Sequence, residues 1–230
     1  MKILVHDQAH HVGETLARAA RMREFQVVAD LGHGQELLFA ACDVVDHSNL
    51  DEAQSVFHAL ALGTTAPLIH VSQVPPGTTR KWAGDRKDVF YQVDTIIMSR
   101  AVQRARAPEQ FIVGCADPGA PLPLAYQEYL AVHDCPVLQM SYESAEVAKL
   151  GINYVLAKQV EAASELVTAC GAVGADYPDV ERALRGDARI GQHAYLRPGR
   201  TNQHLQRDVD TVVKLVHEVI RRGACEAADG

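Results

Sequence analysis

Short apolar runs alternate with amphipathic stretches through the first 140 residues. The opening run KILV (2–5) reads as a strand, and Val12, Leu16, Ala19 and Ala20 recur at helical spacing over 12–24. FQVVAD (25–30), CDVVD (42–46), PLIHVS (67–72), FIVGC (111–115) and CPVLQM (135–140) read as further strands. Helical patterns fall between them near 51–62 and 122–133. Strands alternating with helices predict a mostly parallel sheet wound on both faces.

The period changes near Tyr142. Up to about Asp176 the apolar positions follow a single helix of some thirty residues. Ser144 is placed to cap its start, and Gly171 or Gly174 to end it. YPDVERALR (177–185) follows as a second helix with Asp176 as cap, 204–222 as a third, and the tail GACEAADG reads as frayed. The expected layout is α/β: a Rossmann-like domain over 1–141, a long central helix over 142–172 and a small helical region over 173–230.

The 230 residues are 47% hydrophobic and 22% charged, enough for a proper core. A net charge of -7 argues against nucleic acid or an anionic membrane surface as partner, although Arg197, Arg200 and Arg207 form a local basic cluster able to meet a phosphate. No apolar run reaches the roughly 18 residues of a membrane span. MKILVHDQ lacks the charged stretch, apolar core and cleavage site of a signal peptide. Cys42, Cys115, Cys135, Cys170 and Cys225 are odd in number and form no C-x-x-C pair, which argues against a zinc knuckle or a disulfide scaffold. A cytoplasmic protein with core thiols is expected.

The first strand leads into HDQAHHVGE (6–14), where a dinucleotide-binding turn needs glycines so that the backbone can approach a pyrophosphate. Only Gly13 is in place, and His10 and His11 would crowd that approach. Asp30, ending the second strand, stands where an acidic side chain accepts from an adenosine ribose hydroxyl. An aspartate after a strand is more often a turn residue. His6, Asp7, His10 and His11 are alternative metal ligands, but neighbours in one loop need a further ligand from elsewhere. YLRPGRTNQHLQRD (195–208) raises the same choice between an ordinary turn and a site of chemistry.

Several stretches, in order, resemble the UDP-glucose/GDP-mannose dehydrogenase family. VSQVPPGTTR (71–80) is similar to its K-S-T-V-P-x-G-T-T, and VDTIIMSRAV (93–102) to its P-E-F-L-R-E-G-x-A-V. SAEVAKLGINYVLAKQVEAASELVTACGAVGAD (144–176) resembles its S-A-E-x-x-K-Y-x-x-N-x-x-L-A-x-K helix, and DARIGQHAYLRPG (187–199) its D-x-R-I-G-x-x-F-L-x-x-G. The stretch from Tyr195 then resembles the family's catalytic loop, G-x-G-x-G-G-S-C-F-P-K-D, two residues short. The resemblance covers most of residues 66–212.

The resemblance implies a Rossmann domain, a long central helix and a helical dimerisation region. Family members continue into a second Rossmann-like domain that this sequence does not reach. It also implies NAD-dependent oxidation of a UDP- or GDP-sugar at C6, carried out twice through a cysteine thioester. Lys149 and Asn153, four apart and so on one helix face, match the residues that border the reacting oxygens. Asp208 matches the aspartate near the catalytic cysteine, and Asp94 falls where the family has a water-handling glutamate. Gly13, Asp30, Ser72 and Gln73 fall on the NAD side, with Gln73 replacing a threonine. Met98 takes the place of a second glutamate, and His204 that of the cysteine.

A histidine cannot form the thioester, but it can act as base for one alcohol oxidation. Two readings therefore stand. One is a dehydrogenase performing a single oxidation with Lys149, Asn153, His204, Asp208 and Asp94. The other is an inactive homologue that binds a nucleotide sugar, a sugar phosphate or a partner chain. Val147, Leu150, Tyr154, Val155, Ala162 and Leu166 give the central helix an apolar surface that predicts a homodimer.

Overall fold

The computed structural model describes residues 1–7, 11–32, 34–42, 49–96, 98–199 and 203–226. For Asp7, Met98, Gln203, His204 and residues 222–226 it describes the backbone alone. Two compact units result, Met1–Lys149 and Leu150–Gly230.

The first unit is built on a seven-stranded sheet: β1 (Lys2–Asp7), β2 (Gln26–Val28), β3 (Leu37–Cys42), β4 (Leu68–Ser72), β5 (Val89–Gln92), β6 (Phe111–Cys115) and β7 (Val137–Ser141). Their order is β2-β1-β3-β4-β5-β6-β7. The first five run parallel, with Ile3 opposite Leu37 and Leu38 opposite Leu68. β6 turns antiparallel to β5, and β7 pairs parallel with β6. The mostly parallel α/β fold expected from the periodicity is present.

Helices α1 (Val12–Met22), α2 (Leu50–Gly63), α3 (Thr78–Ala83), α4 (Ala101–Arg106) and α5 (Leu124–Ala131) belong to this unit, as does the start of α6 (Tyr142–Val173). β3, LLFAAC, is buried at every position. Such continuity marks a strand covered on both faces. Its alternate residues divide between two cores: Leu38, Ala40 and Cys42 pack with Phe57, Trp82 and Ala145, and Leu37 and Phe39 with Leu16, Tyr126 and Tyr129.

The third strand lies earlier than CDVVD suggests, ending at Cys42. Burial on both faces removed the alternation that would have marked it, and residues 43–48 fall outside the description. β5 and helices α3 and α4 went unread because each is six residues or shorter. Asp30 lies in a bend two residues beyond the end of β2. Ser144 does not cap the long helix, which already begins at Tyr142. Ser141 does this, its Oγ accepting from the Ser144 amide at 3.2 Å.

Gly114 lets α6 lie close on β6. A Cβ there would sit 2.9 Å from the Ala145 Cβ, 3.1 Å from the Tyr142 Cα and 3.2 Å from the Tyr91 Cβ. All three are Cα or Cβ atoms, which side-chain rotation cannot swing away. Gly114→Ala is expected to cost about 1–3 kcal/mol as overpacking, read as a lower urea midpoint at unchanged slope.

The second unit contains the rest of α6, α7 (Tyr177–Gly186) and α8 (Gln203–Glu226). Gly174, at φ +71°, ends α6, and the Ala175 amide reaches back to the Cys170 carbonyl at 2.9 Å, the closing bond of a left-handed C-cap. Asp176 occupies the cap position of α7 without a side-chain hydrogen bond. The segment after α7 lies along α6, with the Tyr195 amide on Gln159 Oε1 at 2.8 Å and the Gly199 amide on Ser164 Oγ at 3.1 Å. Tyr177 fastens it further by donating to the Leu196 carbonyl at 2.6 Å.

Candidate functional site

In open parallel sheets ligands bind beyond the carboxyl ends of the strands. Here that edge gathers the ends of β1, β3, β4 and β5, and the first turns of α6 are aimed at it. Tyr142 donates to the carbonyl of Val89, where β5 begins. Two turns later Lys149 donates from Nζ to the carbonyl of Asp94, just past the end of β5. α6 thus runs along β5 and delivers the ammonium to the carboxyl edge of the sheet. Lys149 is 7% exposed, so this is no solvated helix lysine.

Glu146 lies between these two contacts and is completely buried. Its carboxylate accepts from the Gly77 amide at 2.6 Å and the Thr79 amide at 2.8 Å. Both amides belong to the turn VPPGTT, in which Thr78 closes on the Pro75 carbonyl and Gly77 takes φ +89°. Burial pushes the Glu146 carboxyl upward, and the Thr79 and Gly77 amides and the Thr79 hydroxyl pull against it. Thr79 also meets His70 Nδ1 at 3.0 Å. His70 is wholly buried among Phe57, Trp82 and Tyr91, and burial lowers its pKa to about 3.

The expected carboxylate and cofactor residues have definite places in this unit. Asp94 is half-buried, and its Oδ1 accepts from the Ile96 amide at 2.8 Å in a side-chain turn. Ser72 is engaged in packing: its Oγ accepts from the Cys42 amide at 3.2 Å and bridges β3 to β4. Gln73 follows at the same edge, and its Oε1 is buried with no hydrogen-bond partner among the described residues. Gly13 is buried inside the first turn of α1, in helical conformation. Asp30 is exposed.

A dinucleotide fits this set at two points. Asp30 is exposed in the bend after β2, the region where folds of this class place an acidic side chain for a ribose hydroxyl. An amide or hydroxyl of a ligand would satisfy Gln73 Oε1. Residues 8–10 of the β1–α1 connection lie outside the described residues, His10 among them.

In the second unit Asn153 donates from Nδ2 to Asp208 Oδ2 at 2.5 Å. Asp208 is fully buried, and its Oδ1 accepts from Arg207 Nε at 2.9 Å. Arg207 is itself 8% exposed. It therefore does not join a surface phosphate cluster: Arg197 is exposed, and Arg200 lies outside the described residues. His204 falls on the first turn of α8, and its side chain is likewise undescribed. Cys170, at the far end of α6, is buried and stands about 25 Å along the helix axis from Asn153.

The structure brings Lys149 to Asp94 and Asn153 to Asp208, each pair within one unit. Reading the sequence for chemistry passed over Glu146 and the buried role of Arg207. A signal for Glu146 was available: an acidic residue three before Lys149 lies on the same, inward face of the helix. Nothing local distinguishes Arg207 from its exposed neighbours.

Residues 143–225 match the profile of the UDP-glucose/GDP-mannose dehydrogenase family, central domain. YtcA of Bacillus subtilis (strain 168), named as a candidate UDP-glucose 6-dehydrogenase, is 27% identical over 148 residues, which is 60% of this chain and 34% of that protein. The chain thus spans about a third of the length of this curated relative. The UDP-glucose dehydrogenase of Pyrobaculum islandicum superposes with a TM-score of 0.74 at 18% identity, covering 95% of this chain and 64% of that one. The UDP-D-ManNAc dehydrogenase of Pyrococcus horikoshii gives 0.68 at 15%, covering 97% and 72%. These structural likenesses are likenesses of fold. The matched segment is the one that holds Glu146, Lys149, Asn153 and Asp208, and over it the chain is similar to the central domain of the UDP-glucose/GDP-mannose dehydrogenase family.

Proposed function

We propose that the protein binds a UDP- or GDP-sugar and, with NAD, oxidises its C6 alcohol once, to the aldehyde. The placement of the Lys149 ammonium against Asp94, at the edge where parallel strands end, carries this reading. NAD supplies, when bound, the acceptor for the hydride on C6. Lys149 steadies the oxygen as negative charge develops on it. Asp94 takes the hydroxyl proton, directly or through a water. The products are aldehyde, NADH and a proton. Asp30 and Gln73 are the residues assigned to hold the cofactor, and His204 is the alternative base.

The reaction stops at the aldehyde because the second oxidation requires a thiolate on the carbonyl. His204 stands at the cysteine position by the resemblance, and Cys170 is buried elsewhere on α6. Incubation with NAD and UDP-glucose or GDP-mannose should yield one NADH per sugar and an aldehyde that a hydrazine traps. Two NADH per sugar, with uronic acid, would overturn the single-step reading.

One observation favours a second reading, that of a binding protein without turnover. Both oxygens of the fully buried Asp208 accept hydrogen bonds, from Asn153 and Arg207. That is the arrangement of a structural ion pair. A rise in melting temperature with nucleotide sugar, but no NADH formed, would select this reading. Neither binding nor turnover would reject both.

The homodimer belongs to the same proposal. Val147 and Val155 are 51% and 53% exposed on α6, and Ala162 and Leu166 are exposed beyond them. Leu150 is not part of that surface, being 2% exposed in the interior. Among the described residues no helix is long and apolar enough to cross a membrane, so lipid does not cover this face as a span. Light scattering at micromolar concentration should return twice the 25.1 kDa chain mass, and Val155→Glu should halve it.

A further inference from the structure

We propose that Glu146 is the positioning residue for Lys149: its carboxylate locks the second turn of α6 onto the VPPGTT turn and so sets where the Lys149 ammonium stands. The inference rests on the reading that Lys149 meets the ligand oxygen.

The first turns of α6 carry charged residues at every third position, Glu143, Glu146 and Lys149, and their surroundings differ. Glu143 pairs with Arg80 in the open, with both side chains more than two-fifths exposed. An ion pair of that kind contributes little. Glu146 has no access to solvent and makes two charge-assisted bonds to backbone amides.

Those amides are not interchangeable with other partners. The Gly77 amide follows Pro76 at the tip of a turn whose left-handed residue is Gly77 itself, and the Thr79 amide lies in the first turn of α3. Neither has a carbonyl in reach of regular pairing, so a buried acceptor must meet them. Glu146 is that acceptor, and the two bonds diverge from one carboxylate. Both are satisfied only at one axial position and one rotation of α6. Lys149 is three residues on, on the same face, and inherits that position.

The amide of Glu146→Gln presents one oxygen and one NH2, so it accepts from one backbone amide and opposes the other. Volume and apolar contacts are kept. The readout is reductive methylation with formaldehyde and borohydride on the full chain, with each lysine quantified by mass spectrometry after digestion. In the wild type Lys149 should be protected relative to the exposed Lys158. In Glu146→Gln the Lys149 to Lys158 ratio should rise about tenfold, the scale of a lost charged hydrogen bond. Glu143→Gln, which breaks the exposed pair on the same helix, should leave the ratio unchanged.

A merely structural role would lower the melting temperature and expose the buried backbone amides of the first unit together with Lys149, the one buried lysine among the described residues, and hydrogen exchange on the same samples reads that general opening. Should Glu146→Gln fail to fold, Glu146→Asp is measured in its place. It keeps the charge, spans to one amide only, and should raise the ratio in the same direction. An unchanged Lys149 ratio in the folded variant overturns the proposal. The labelling needs no ligand. If UDP-glucose and GDP-mannose give no thermal shift with the wild type, the functional reading fails while the labelling result still decides whether Glu146 positions Lys149.

Discussion

Asp208→Ala is expected to destabilise the second unit by about 3–5 kcal/mol, the cost of removing one partner of a buried ion pair. Asp208 has no exposed surface and Arg207 is nearly enclosed, so water does not replace the lost carboxylate around the guanidinium. The Asn153 amide loses its acceptor at the same time. Asp208→Asn keeps the shape but not the charge, and should recover only a part. Urea unfolding of the second unit, followed by circular dichroism of its helices, is the measurement. A change under about 1 kcal/mol, ordinary for a surface pair, would mean that the carboxylate is hydrated and the buried pair is not formed.

This outcome governs how activity data are read. Loss of turnover in Asp208→Ala is expected whether Asp208 touches substrate or only holds α8 to α6 within its unit. Arg207→Met separates the two. It removes the charge together with the need to balance it, at similar length, and replacement of a buried ion by an apolar side chain is often near neutral. If Arg207→Met and Asp208→Asn together restore stability but not activity, the carboxylate has a chemical role. If activity returns with stability, Asp208 is a strut.

Much of the fold was legible in the sequence because periodicity reports on faces. Strands β1, β4, β6 and β7 and helices α1, α2, α5, α6, α7 and α8 all carry runs long enough to fix a period. Where both faces are covered, the period vanishes: LLFAAC is uniformly apolar, so its place was read too late in the chain. The antiparallel entry of β6 was not legible either, since pairing direction leaves no mark on side-chain alternation. The candidate site followed the same rule. Lys149, Asn153 and Asp208 could be selected by their order along the chain. That Asn153 would be held by Asp208, and Lys149 by a backbone carbonyl, depends on contacts between residues 55 positions apart. No local pattern encodes those.

Acidification from pH 6.5 should destabilise the first unit with a slope from His70 of up to about 1.4 kcal/mol per pH unit. His70 has a folded-state pKa of about 3 against 6.5 when unfolded, because burial disfavours its charged form. Between these values the unfolded chain binds a proton that the folded chain excludes, so stability is complete above pH 6.5 and is lost as pH falls toward 3. The neighbours leave the imidazolium no compensation. Phe57, Trp82 and Tyr91 surround the ring, and Nε2 is buried with no hydrogen-bond partner among the described residues. Only Nδ1 is met, by the Thr79 hydroxyl. With that hydroxyl facing the Glu146 carboxylate as well, the network assigns the proton to Nδ1 and leaves Nε2 bare. Glu146 works in the opposite sense: its raised pKa means that the folded state takes up a proton first, which favours folding as pH falls through its titration. The two contributions separate by mutation. His70→Leu, close in volume, should flatten the urea stability profile between pH 4 and pH 6 relative to wild type, whereas Glu146→Gln should steepen it. Parallel profiles for wild type and His70→Leu would mean that the histidine reaches water when protonated and that the aromatic enclosure around it opens in acid.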